Sequence, residues 1–175
     1  RGVLFQSYAQ SLLMAGDYKL AWDASEESLK HPLDQNNLKI SWFQLVNISR
    51  AQSEDVTTTD SEEFKKYEKA VDGFIAHFPI DPQARLALFE CGKRSELLND
   101  FENARNRYEK ILSSPPLYYK EQSQEEKHKV SLSLANLYIK MGSKQKNISD
   151  AAGSLEKISK ENKISLEVNN VIIIS

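Results

Sequence analysis

Four positions, Tyr18, Phe64, Phe101 and Ile148, head the same pattern. Three residues after them stand Ala21, Tyr67, Ala104 and Ala151; seven after, Ser25, Val71, Tyr108 and Leu155; ten after, Ser28, Phe74, Ile111 and Ile158. Offsets of three, seven and ten trace one face of an α-helix. A chain that carries this face four times reuses one helical element, and stacked repeats of that kind bury their apolar faces against their neighbours.

The punctuation fits the same division. Proline ends helices, and the five prolines fall in three places, Pro32, Pro79 with Pro82, and Pro115 with Pro116. Fifteen residues after the first three anchors come Leu33 (directly after Pro32), Pro79 and Pro116; the fourth anchor has no such proline. A second helix precedes each anchor. Gly16-Asp17-Tyr18 reads as a turn glycine, an Asp N-cap and the first apolar residue of a helix, and Asn99-Asp100-Phe101 and Lys146-Asn147-Ile148 repeat that logic. Upstream, the small residues Ala9, Gly92 and Ala135 each follow a larger one (Tyr8, Cys91, Leu134), which lets two antiparallel helices approach closely. Strand-like alternation is absent until the extreme C-terminus, so the reading is all-α.

A large residue, a bulky-small pair three on, an aromatic or aliphatic residue, then G-D-Y-x-x-A and a terminal proline resemble the tetratricopeptide repeat. The third unit matches best, with Leu88, Cys91-Gly92, Phe101, Ala104, Tyr108, Ile111 and Pro116; the first follows with Phe5, Tyr8-Ala9, Leu12, Gly16-Asp17-Tyr18 and Ala21. The second is degenerate, Val46 replacing the small residue and Tyr67 the alanine. The fourth offers Leu134-Ala135, Tyr138, Gly142, Ala151 and Leu155. The resemblance implies a right-handed superhelical solenoid of antiparallel helix pairs, one array over 1–175, with units at about 2–35, 36–81, 82–117 and 122–163 and the first helix of a further unit at 164–175. The anchors are 46, 37 and 47 residues apart, wider than the family's period of about 34. Insertions are therefore expected at Gln52 to Asp60, at Leu117 to Glu126, and at Ser143 to Lys146.

Other chemistries find little footing. With 25 acidic and 23 basic side chains the net charge is −2, without the basic excess that steers nucleic acid or an anionic membrane. No stretch reaches the roughly 18 apolar residues of a membrane span. Cys91, the single cysteine, falls on a bulky seam position and reads as a buried structural thiol, without the base or helix N-terminus that a reactive thiolate uses. Gly92-Lys93 is followed by Arg94 and lacks the further glycines of a phosphate loop. His31 and His77 sit at equivalent repeat ends, where a cation favours the helix C-terminus; with His128 they make no metal site. Glu62-Glu63 and Glu125-Glu126 read as solvated first turns, and the sequons Asn47-Ile48-Ser49 and Asn147-Ile148-Ser149 as chance. No catalytic residue, metal site or cofactor is assigned.

Binding is the expected role. In a solenoid the first helices of the units line a groove suited to an extended peptide or a partner's helix. The repeat register places Gln6, Gln10 and Leu13 there in unit one; Phe43, Asn47 and Arg50 in unit two; Phe89, Lys93 and Glu96 in unit three; and Lys129, Asn136 and Ile139 in unit four. Asn47 and Asn136 are suited to main-chain hydrogen bonds, Phe43 and Phe89 to apolar anchoring. Some family members grip a chaperone's C-terminal carboxylate with Lys and Asn, but Gln6 and Gln10 stand where that grip would begin and no Lys accompanies them. The run His77-Phe78-Pro79-Ile80-Asp81-Pro82-Gln83-Ala84 looks like bacterial repeat proteins that scaffold envelope or motor assemblies. The expectation is a protein-protein interaction scaffold within such an assembly; the alternative is a regulatory or accessory domain of a larger enzyme or of an envelope, motor or secretion machine. The chain begins at Arg1 and ends in Val171, Ile172, Ile173 and Ile174, so it reads as a piece of a longer protein. A cytoplasmic and a bacterial periplasmic or envelope location both stay open.

Overall fold

The computed structural model describes residues 1–117 and 119–145. The anchor Ile148, its helix, the second sequon and the unit expected at 164–175 lie outside the described residues. Seven helices, and no strand among the described residues, follow one another: α1 Gly2–Met14, α2 Tyr18–Leu29, α3 Gln35–Gln52, α4 Glu62–His77, α5 Pro82–Leu97, α6 Phe101–Ser113 and α7 Lys120–Gln145. The chain is all-α.

The turns are written in local chemistry. Gly16 (φ 79°) follows α1 and Asn99 (φ 64°) follows α5. In the first, the N–H of Gly16 donates to Leu13 O and that of Asp17 to Leu12 O; in the second, Asn99 donates to Glu96 O and Asp100 to Ser95 O. Both are left-handed helix ends that satisfy the last carbonyls, and Asn99 stands in for glycine because its short polar side chain tolerates that conformation. The next residue caps the following helix at once. Asp17 accepts from Leu20 N at 3.1 Å and Asp100 from Asn103 N at 3.2 Å. Asp34, Ser61 and Asp81 cap α3, α4 and α5 in the same way, each such cap contributing about 1 kcal/mol. Pro82 opens α5 at its first position, where the missing N–H costs nothing.

Consecutive helices pair antiparallel. The start of α1 meets the end of α2, Gly2 lying against Ser28 and His31; Trp42 in the first half of α3 packs on His77 at the end of α4, with ring centroids 5.0 Å apart. Arg85 at the start of α5 hydrogen-bonds Pro115 O just past α6. Helices two apart also touch, and they sort into two layers. In the odd layer α1, α3, α5 and α7 are joined by Gln6 Nε2 to Asn37 O (2.9 Å), Lys39 to Asp81 (2.6 Å) and Arg85 to Glu126 (2.6 Å). In the even layer α2, α4 and α6 are joined by Lys69 to Glu26 (3.1 Å), Arg107 to Glu68 (2.8 Å) and Lys110 to Asp72 (3.3 Å). Between the layers lies the core, in which Phe64, Tyr67, Val71, Phe74, Leu88, Cys91, Tyr108 and Ile111 are all buried.

The expected insertions fare unequally. Residues 53–61 do form a loop, but it is tied down: Arg94 donates to the carbonyls of Ser53, Glu54 and Val56, and Thr59 Oγ1 donates to Asp100 Oδ2 at 3.0 Å. The stretch from Leu117 to Glu126 is mostly helix, since α7 starts at Lys120 and is held there by Arg85 through Glu126. Gly142 lies inside α7 rather than at a turn, and Ser143 to Gln145 continue that helix. His77 ends α4 with its Nδ1 2.8 Å from Gly73 O, whereas His31 falls past the C-cap Lys30 and stacks on Phe5.

Candidate functional site

The odd helices carry a stripe of matching spacing largely turned away from the core, with Phe43 packed against it. On α3 it is Ile40, Phe43, Asn47 and Arg50; on α5, Leu86, Glu90, Lys93 and Leu97; on α7, Lys129, Leu132, Asn136 and Ile139. Steps of three and four residues keep each set on one helix face. Most members are exposed, and Leu86 at 52% and Leu97 at 71% are open to solvent with cations and amides beside them.

The residues expected in the groove divide by depth. Gln6 and Phe89 are buried and Phe43 is half-buried, and each fills a seam. Gln6 Nε2 donates to Asn37 O and reaches Ser41 Oγ at 3.4 Å. Phe43 meets Phe74 at a centroid distance of 6.3 Å, and Phe89 lies between the Tyr108 ring at 5.6 Å and the Lys129 ammonium at 4.3 Å. Gln6 and Phe89 face the next odd helix, which covers them, whereas Phe43 packs inward on Phe74 of α4. One turn further on, Gln10 and Asn136 are exposed and Asn47 and Lys93 partly so. Gln10 Oε1 accepts from Gln44 Nε2 at 3.2 Å. Leu13 packs half-buried on the core, and Arg50, Lys129 and Ile139 are exposed. Glu96 is buried: its carboxylate accepts from Tyr108 Oη at 3.0 Å and from Lys140 Nζ at 2.5 Å, with Lys93 Nζ further off at 3.8 Å. Burial works against its charge, but these donors outweigh it and hold the carboxyl below its ordinary value.

Some of these residues come together across helices: Phe89 with Lys129, and Arg50 with Lys93. Arg50 and Lys93 line one cavity of about 280 Å³ between α3 and α5, with Ser53, Glu54, Tyr67, Glu90, Arg94 and Leu97. A second cavity, of about 340 Å³ between α5 and α7, is lined by Leu86, Phe89, Gln122, Glu125 and Lys129 among others. Sequence reasoning missed Leu86, Glu90 and Leu97, although their spacing from Lys93 by seven, three and four residues on one helix is a readable signal. It missed Tyr67 and Arg94 because their roles depend on neighbours in other units.

Cys91 is fully buried, and burial pushes its thiol up to about 12 against the opposing pull of the Arg107 guanidinium. That is a packing thiol rather than a nucleophile. Among the described residues no three His, Cys, Asp or Glu side chains stand together as metal ligands, and no helix is long and apolar enough to cross a membrane.

No protein-family model, no curated protein and no solved structure matches this chain.

Proposed function

We propose that the chain is a protein-interaction scaffold of the tetratricopeptide-repeat kind, a right-handed superhelical array that takes a partner's extended segment or helix along the face of its odd helices and works by binding rather than catalysis. The observation that carries this reading is the stripe itself: α3, α5 and α7 lie in one layer and each presents exposed aliphatic residues beside a cation, with an amide as well on α3 and α7 and a carboxylate on α5. Such a mixture offers apolar anchors and main-chain hydrogen bonding along one line. The two cavities fall between neighbouring stripes, where side chains of a bound segment would enter.

The test is a pull-down with the tagged domain, followed by identification and reconstitution of the partner. The variant carrying Leu86→Glu and Leu97→Glu should lose the partner while its far-UV circular dichroism stays helical. A variant of exposed even-layer residues, Asp23→Lys with Lys66→Glu, should keep it. Recovery by the first variant, or loss by the second, overturns the reading.

A further inference from the structure

The second unit departs from the other hairpins at Tyr67. Units one and three carry Ala21 and Ala104 at the same position, both fully buried where the paired helices meet. Tyr67 is equally buried, at 1% exposure, yet it lines the cavity that holds Arg50 and Lys93. Its ring fills the seam and its hydroxyl finds no hydrogen-bond partner among the described residues. The ring is buried, but the hydroxyl oxygen keeps contact with the cavity, so its donor is open to a ligand. Tyr108 shows what such a partner looks like in this chain: its hydroxyl donates to the Glu96 carboxylate, which Lys140 also holds. The Tyr67 cavity has the phenol and the cations of that arrangement, but among the described residues no carboxylate is hydrogen-bonded to the phenol.

We propose that this cavity receives one carboxylate, the side chain of an Asp or Glu in a partner segment lying along the odd helices, held by Arg50 and Lys93 with the Tyr67 hydroxyl donating from below. The proposal rests on the scaffold reading above and names a chemical feature of its partner. Arg50 makes no side-chain hydrogen bond or ion pair among the described residues. Lys93 is only loosely engaged, 3.8 Å from a Glu96 that nearer donors already satisfy. Arg94 has another task, since its guanidinium is spent on three carbonyls at the end of α3, where it offsets the negative end of that helix. Glu54 and Glu90 also line the cavity, so the three cations exceed the carboxylates by one charge. A single carboxylate completes that balance, whereas a phosphate dianion overshoots it. The planar guanidinium of Arg50 matches a carboxylate's two oxygens, and exposed Leu97 at the cavity wall suits an apolar residue next to the acid. A phenol is protonated at neutral pH at its ordinary value, and burial raises that of Tyr67 further, so the hydroxyl is a donor there.

The test uses N-acetyl-glutamate N′-methylamide as the probe, read by the side-chain Nε–H signal of ¹⁵N-labelled Arg50 and the ring signals of Tyr67. A saturable shift in the millimolar range is expected, with none for the glutamine analogue. Arg50→Gln or Lys93→Gln should weaken binding about tenfold and Tyr67→Phe about threefold, as loss of charge-assisted and neutral hydrogen bonds does. Glu90→Gln should strengthen it. Equal shifts with the glutamine analogue, indifference to Tyr67→Phe with circular dichroism unchanged, or tighter saturation of the same signals by inorganic phosphate overturns the proposal. If the glutamate probe fails while partner capture still depends on Leu86 and Leu97, the carboxylate site falls and the scaffold stands. If the probe binds and capture ignores those leucines, the scaffold falls and the site stands.

Discussion

Gly92 lies so close to Tyr108 that a Cβ added to it would stand 2.8 Å from Cε1 of the ring and 3.4 Å from Cβ of Arg107. The approach of α5 to α6 is set by the absence of that one carbon. Gly92→Ala gains about 0.5–1 kcal/mol of helix propensity but must displace a fully buried ring, and Gly92→Leu has no room at all. We expect Gly92→Leu to lower stability by about 1–3 kcal/mol through overpacking, measured by urea denaturation. An unchanged midpoint would show that the helices can part at no cost and that Gly92 does not set the seam.

Much of this was readable from local chemistry, and the remainder was not, for a physical reason. Asp17 and Asp100 were legible as caps because a cap bonds its own next turn, and the Cys91-Gly92 pair was legible because a close helix contact demands a small residue. Asn99 betrayed itself by standing where Gly16 stands. What stayed hidden depends on distant partners. Arg85 meets Pro115 and Glu126, 30 and 41 residues away. Gln6 and Phe89 satisfy the periodicity of a groove face, but the next odd helix covers them, and periodicity alone cannot say how far apart neighbouring helices sit. Gly142, a motif match of the fourth unit, lies inside α7, but a glycine within a helix and one after it look alike in sequence, and the start of α7 at Lys120 went unread because its tie to Arg85 through Glu126 joins residues 41 apart.

Arg85 is the most buried charge among the described residues, at 1% exposure, with its Nε donating to Pro79 O at 2.9 Å and a guanidinium nitrogen 2.6 Å from Glu126. One side chain thus ties the α4–α5 turn, the segment after α6 and the first turns of α7. Replacement by Met fills similar space but strands the Glu126 carboxylate and two carbonyls. Breaking such a pair costs about 3–5 kcal/mol, and Arg85→Met should lose stability of that order in urea. Glu126→Gln keeps a polar acceptor on a more exposed residue and should lose less. A loss under about 0.5 kcal/mol for Arg85→Met, the size of an ordinary surface change, would mean that water replaces these contacts freely.

Cys91 should report opening of the core. With its thiol raised to about 12, the reactive thiolate amounts to on the order of one part in a thousand even at pH 9, and the residue has no exposure in the folded chain. A disulfide reagent should therefore label native protein slowly at pH 8 and urea-unfolded protein at once. Gly92→Leu should accelerate native labelling, because it loosens the seam that shields the neighbouring thiol. Labelling of the native wild-type chain as fast as a free cysteine would refute the burial.

Glu96 gives the fold a dependence on acid. Its carboxyl is buried, which by itself would raise its pKa, but the hydrogen bonds from Lys140 and Tyr108 and the nearby charge of Lys93 bring it below the ordinary 4.5. In the range between the two values the unfolded chain binds the proton and the folded chain does not, so stability rises with pH there. The contribution is complete above about 4.5, the ordinary value, and is lost as the pH falls through the folded value. Glu96→Gln removes the charge at every pH while keeping an acceptor for Tyr108. The stability gap between wild type and Glu96→Gln, from urea midpoints, should be widest near neutrality and should narrow steadily below the ordinary carboxyl value, because protonated Glu96 comes to resemble glutamine. A gap of constant size across that range would mean that the carboxylate gains nothing from Lys140 and Tyr108 beyond what a neutral amide gains, and that the polar cluster joining α5, α6 and α7 is held by shape rather than charge.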